Sequence, residues 1–220
     1  MVSLDEVMRT TATVRYYTDA PVDEDVLYRV FERARFAPNG GNRQGWKVIM
    51  VTDPDLRRQV RDLYLERWIP YAEAARSASG GGPVPRTSKV LERADEFAHR
   101  MHEVPVHLVI LAKMDALAVT DADLGYRTSI VGGASVYPFV QNVLLSCRAA
   151  GLGSTLTTIL TAVEPRAKEL LGIPDGYGVA ALVMVGHPDP ERLPGRLSRA
   201  PVESFVTRDS FSGPALGKDG

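Results

Sequence analysis

Four short stretches of this chain carry residues able to hold a ligand. Ala37-Pro38-Asn39-Gly40-Gly41-Asn42-Arg43-Gln44-Gly45-Trp46 packs three carboxamides and two adjacent glycines into one loop, followed by a large aromatic. Carboxamides offer donors and acceptors without charge, and glycine lets backbone approach closely. The combination suits a flat ligand with polar edges; taken alone, it also reads as a solvated turn. Arg15 stands beside the hydroxyls of Thr11 and Thr13, and Arg199 beside Ser198. A guanidinium fork next to a hydroxyl matches phosphate oxygens, although arginines in polar segments are equally ordinary surface residues. Leu156-Thr157-Thr158 follows the turn Gly151-Leu152-Gly153. It offers backbone N–H groups to a ligand edge, or is simply the start of a strand.

Other chemistries are poorly represented. His99 and His102 have helical i, i+3 spacing but no matching carboxylate or thiolate set, so a solvated face is expected rather than a metal site. His107 and His187 each stand alone in apolar strands and read as core or strand-end residues. The single Cys147 lies in an apolar helical stretch, where a thiol is inert, and it excludes an intramolecular disulfide. No nucleophile elbow, phosphate-binding P-loop or dinucleotide fingerprint is present. The net charge of −1 gives no global field toward nucleic acid. The N-terminus has no signal-peptide pattern and no stretch approaches a membrane span, so a cytoplasmic protein is expected, with no nucleic-acid or membrane partner.

The elements that must position these groups follow from periodicity. Ser3 and Glu6 have capping-box spacing before a short helix over 3–9. Residues 10–19 read as extended, and Asp23 caps a second helix that stops at Pro38. Strands are predicted over 46–52, 104–114, 154–161 and 178–185. The run over 104–114 is almost wholly apolar, as for a strand covered on both faces. Helices are predicted over 56–75, 89–102 and 164–171, with a long apolar one over 126–150 in which Pro138 marks a kink or the true start. Gly80-Gly81-Gly82-Pro83 breaks the chain between two helices. The expectation is an α+β single domain over 1–220, with one central mixed or antiparallel sheet flanked by helices. The tail after Arg199 is too polar to form a core alone and suits extension onto a partner subunit.

In order along the chain, these residues resemble the FMN-dependent nitroreductase family. Thr13-Val14-Arg15-Tyr16-Tyr17-Thr18-Asp19-Ala20-Pro21-Val22 is similar to the family's opening S-x-R-x-F-x-x-x-P-V, and the 37–46 loop to A-P-S-x-x-N-x-Q-P-W. Ser135 to Gly153 resembles the central helix and the turn after it. Leu171-Gly172-Ile173-Pro174, Val185-Gly186-His187-Pro188 and Ser198-Arg199-Ala200-Pro201-Val202-Glu203 resemble three later landmarks. Each is weak singly; their common order carries the resemblance.

The resemblance implies a nitroreductase-like homodimer with FMN at the subunit interface and a C-terminal arm, about 199–220, exchanged between subunits. It implies reduction of small nitro-aromatic, quinone or related acceptors, with NAD(P)H reducing the flavin first. Thr11, Thr13, Arg15 and Arg199 would lie at the phosphate end, Asn42 and Gln44 at the ring or ribityl chain, and Leu156, Thr157 and Thr158 at the N5 edge. Asn39 and Gly40 would border the substrate, under a lid drawn from about 67–100. No residue is an obvious acid or base, so the acceptor's proton would come from solvent or from Tyr71. Departures from the pattern are Thr11 and Ala12 where the family has arginine, Asn39 for Ser, Gly45 for Pro, and Ala200 for a basic residue. The eroded phosphate grip keeps two alternatives open: a flavin-storage or flavin-fragmenting protein, and a catalytically inactive ligand-binding dimer.

Overall fold

The computed structural model describes residues 2–77 and 88–217. The sheet has four antiparallel strands in the order β1-β2-β4-β3: β1 Trp46–Val51, β2 Val106–Lys113, β3 Gly153–Thr157 and β4 Tyr177–Gly186. Six helices surround it: α1 Leu4–Thr10, α2 Glu24–Ala34, α3 Pro54–Ser77, α4 Ser88–Arg100, α5 Tyr137–Ala149 and α6 Glu164–Leu171.

β2 is buried along all but its last residue, and its alternating side chains feed two separate cores. Val109 and Leu111 enter a cluster with α3, α4 and α6, around Tyr64, Trp68 and Met101. Leu108 and Ile110 enter another with α2 and α5, around Val30, Phe139 and Val143. The apolar run is thus read correctly as a strand covered on both faces, here in an antiparallel sheet.

The caps behave as their residue types dictate. Ser3 Oγ accepts from the Glu6 N–H at 3.2 Å, and Asp23 Oδ1 from the Asp25 N–H at 2.8 Å. Residues 11–19 are extended, as expected, but form only isolated bridges. Thr13 pairs with Ser154, and Tyr17 with Pro188.

Several boundaries differ from the sequence reading: α2, expected to stop at Pro38, ends at Ala34. The helix expected over 126–150 occupies only Tyr137–Ala149, with Pro138 in its first turn. Upstream of it, Asp121 organises a turn-rich loop. Its carboxylate accepts from Arg127 Nη1 (2.6 Å), Ser129 Oγ (2.6 Å) and the Ile130 N–H (3.0 Å), which together pull it well below the usual carboxylate range. A carboxylate that captures backbone donors competes with helix formation. The strand expected over 154–161 ends at Thr157 and passes into a 3-10 turn over Ile159–Val163. Finally, α3 runs two residues beyond Ala75 and holds Pro70 in its interior. The glycine break at 80–82 lies outside the described residues. The tail forms a small local hairpin, with Thr207 bridging Ala215 and Phe205 and Phe211 exposed.

Candidate functional site

The carboxamide loop leaves α2 at Ala34 and enters β1 at Trp46. Its backbone is unusual: Asn42 and Gln44 both sit at positive φ (52° and 50°), with Gly41 at 62°. Non-glycine residues in the left-handed region are strained, and asparagine is the type that tolerates it best. Strain of this kind persists where the surroundings over-determine it. Asn39 is the tie: its Oδ1 accepts from the Gln44 N–H at 2.8 Å, and its Nδ2 donates to the Ala37 carbonyl at 3.2 Å. Both ends of the Asn39 amide are therefore engaged within the loop, while Asn42 and Gln44 are exposed. Gly40 is held from the far side, its N–H donating to Ser135 Oγ at 3.0 Å.

Gly45 is closely packed. A Cβ there would meet the Ala116 Cβ at 2.6 Å, so close packing against Ala116 fixes the start of β1. Gly45→Ala is expected to cost about 2 kcal/mol by overpacking, read as a lowered denaturant midpoint.

The arginine–hydroxyl group forms at the other end of the molecule. Residues 13–17 lie along β3: the Val14 N–H donates to the Ser154 carbonyl at 3.1 Å, and Tyr17 Oη and Thr155 Oγ1 hydrogen-bond at 2.9 Å. Arg15 is half-buried. Burial lowers its guanidinium pKa, opposed by the phenols of Tyr16, Tyr17 and Tyr64, while nearby Arg93 lowers it further. Among the described residues no carboxylate pairs with Arg15. Tyr64 lies against the Thr157 side chain and near Tyr71; burial pushes its phenol up to about 12, only partly offset by Thr157. Arg15, Tyr64, Tyr71 and Thr157 thus share one neighbourhood.

Several expected members are placed elsewhere or otherwise engaged. Thr11 Oγ1 donates to the Val7 carbonyl at 2.7 Å and finishes α1. Arg199 lines a cleft with Asp5 and Arg9 beside α1, while Arg15 lines the adjoining one; Leu197 borders both. Leu156 and Thr158 are exposed at the end of β3, an edge strand. Arg93 and Arg192, which border the Arg15 cleft, were not singled out from sequence. Nothing local marks them, because only the fold brings positions 15, 93 and 192 together.

The two groups sit on opposite edges of the sheet. The carboxamide loop opens β1 and Thr157 closes β3; three interstrand steps separate these strands by about 14 Å. Register adds to this. Thr157 pairs with Leu182, Leu182 with Val109, and Val109 with Ile49, so Trp46 lies a further ~10 Å along β1. One chain therefore presents two separated half-sites. The phosphate end fits its group: a half-buried guanidinium facing a second arginine and the exposed Thr13 suits a phosphate monoester. His99 and His102 face Asp95 and Arg61, and no group of three His, Cys, Asp or Glu among the described residues is placed to hold a metal ion. No described helix is long and apolar enough to cross a membrane.

Comparison with known proteins gives the family and the fold. The Nitroreductase family model matches residues 8–187, and the chain belongs to that family. An NADH dehydrogenase of Thermus thermophilus is 29% identical over 205 residues, covering 88% of this chain and 90% of that protein. A 5,6-dimethylbenzimidazole synthase of Rhodobacter capsulatus is 28% identical over 193 residues, covering 85% and 84%. Among solved structures, an iodotyrosine deiodinase bound to FMN and 3-iodo-L-tyrosine superposes with a TM-score of 0.71 at 20% identity, covering 95% of this chain and all of that one. An FMN- and NADPH-dependent nitroreductase from sphigopyxis sp. strain HMH gives 0.70 at 22% identity, covering 96% and 100%. These two likenesses establish the α+β nitroreductase-like fold.

Proposed function

We propose that this protein is an FMN-dependent oxidoreductase that uses NAD(P)H to reduce small nitro-aromatic, quinone or related acceptors, as a homodimer with the flavin at the subunit interface. The observation that carries the reading is the separation of the half-sites. In a two-fold dimer the carboxamide loop of one subunit faces the Arg15 group of the other, and two complete sites result. Exposed apolar residues on α1 (Leu4, Met8) and on the C-terminal arm (Phe205, Phe211) support an interface on these elements.

The flavin, when bound, supplies the hydride chemistry, while the protein binds, orients and tunes it. Thr13 and Arg15 hold the phosphate end, and Arg199 lies one cleft away. Asn42 and Gln44 meet the ring or ribityl chain from the partner. Leu156, Thr157 and Thr158 offer backbone groups at the β3 edge, and Gly40 and the Asn39-tied loop border the acceptor. Of the segment about 67–100 expected to supply a lid, 78–87 lie outside the described residues, and Trp68, Ala72, Phe97 and Ala98 on its described parts are in the core. Tyr64 is buried, and burial pushes its phenol up to about 12. Tyr71 is exposed near it, and we assign proton delivery to its hydroxyl. Tyr71→Phe is expected to lower kcat about tenfold or more with flavin affinity unchanged; an unaltered kcat assigns the proton to solvent.

The direct test is anaerobic mixing of the FMN-loaded protein with NADH and NADPH. Bleaching of the yellow flavin by either donor, and its return on adding a quinone or nitro-aromatic, is expected. Flavin that binds but is bleached by neither turns the reading toward flavin storage or fragmentation. A colourless protein that takes up no flavin leaves the inactive binding dimer.

A further inference from the structure

Helix α4 carries Arg93, Glu96 and Arg100 at i, i+3 and i+7, on one helical face. Arg93 lines a cavity of about 560 Å³ together with Thr13, Arg15, Tyr16, Glu191 and Arg192, and Glu96 is tied to the Tyr16 hydroxyl beside it. Arg192 comes from the segment after β4. Its guanidinium lies over the Tyr16 ring, 3.3 Å from the centroid, and donates to Glu96 Oε1 at 3.3 Å. Glu96 Oε2 accepts from the Tyr16 hydroxyl at 2.9 Å, and Arg100 Nη1 reaches Oε1 at 3.3 Å.

One carboxylate on α4 therefore serves two arginines and a phenol, and a third arginine stands one turn away facing Arg15. The cavity has more cationic groups than its carboxylates neutralise. The Arg192–Glu96 contact is long and solvent-exposed, with side chains 46% and 41% accessible, the kind of pair that contributes little and is readily exchanged. A phosphate dianion offers three oxygens and twice the charge.

We propose that Arg93 and Arg192 complete the phosphate grip around Arg15, and that Glu96 is an internal anion that parks Arg192 over Tyr16 until a phosphate monoester displaces it. The inference rests on the flavin reading for the identity of the monoester. It supplies from α4 and the post-β4 segment the charge that Thr11 and Ala12 do not bring.

The test compares FMN with riboflavin, which lacks the phosphate, by fluorescence titration of the full chain. Arg93→Ala and Arg192→Ala are each expected to weaken FMN roughly tenfold or more and to leave riboflavin unchanged. Glu96→Gln is expected to tighten FMN severalfold without altering riboflavin. Equal losses for both flavins in the arginine variants, or no loss for either, overturn the grip. FMN weakened by Glu96→Gln overturns the parking role. If the wild type binds neither flavin, the flavin reading fails separately. Inorganic phosphate titrated against thermal unfolding then decides the grip: stabilisation lost in both arginine variants retains it, and no stabilisation of the wild type removes it.

Discussion

Mixing an Arg15→Ala chain with an Asn42→Ala/Gln44→Ala chain restores flavin sites that neither variant forms alone. Each variant homodimer has the same half-site damaged at both interfaces. A heterodimer pairs the intact Arg15 group of one subunit with the intact loop of the other, and leaves both lesions together in the second site. Random exchange should return roughly a quarter of wild-type sites, since half the dimers are mixed and one site in each is whole. Flavin retained after gel filtration, counted per chain, is the readout. The effect is large because Arg15 is half-buried and positioned by β3, so its removal leaves the phosphate end without its central cation. No recovery on mixing, with each single variant flavin-free, would show that both half-sites serve the same subunit and would end the interface reading.

The second large effect is on stability in acid. His107 is fully buried on β2; its Nε2–H donates to the Met101 carbonyl at 2.8 Å, and Nδ1 has no partner among the described residues. Burial lowers its pKa from the ordinary 6.5 to about 4, the Met101 carbonyl opposing and nearby Arg57 and His102 assisting. The folded state thus refuses a proton that the unfolded chain accepts. Above pH 6.5 both states are neutral and nothing is lost. As pH falls from 6.5 toward 4 the unfolded state gains protons first, and stability declines by about 3 kcal/mol in all. His107→Gln keeps a donor for Met101 and does not titrate. Its unfolding free energy should be nearly flat over that window, apart from the carboxylates common to both proteins. Parallel slopes in urea melts of the two proteins at pH 4.5 to 7 would contradict the assignment.

Much of this arrangement is legible in the sequence, for identifiable reasons. β2 announces itself because burial on both faces removes polar residues from the strand. The carboxamide loop is visible because its residue types are concentrated within one turn. The beginning of α5 is not legible: the apolar residues from 126 onward look helical, and only the donors gathered by Asp121 show why the chain turns there instead. Nor can the sequence say which polar groups are already engaged. Asn39 and Thr11 look like ligand contacts by type, yet the first closes its own loop and the second ends α1. Arg93 and Arg192 fail to stand out for the opposite reason, since their meaning arises only where distant segments converge.

The two cores on either face of the sheet bear on how such a protein can change. The Arg15 neighbourhood rides on the core containing Tyr64, Trp68 and Phe97, and the carboxamide loop on the one containing Ala37, Val30 and Phe139. The sheet separates them, so substitutions on one side share few neighbours with substitutions on the other, and their energetic effects should add. Substitutions through α2, α5 and the loop between them can then accumulate without disturbing the packing that holds Arg15. In this architecture each half of the molecule can be remodelled without repacking the other.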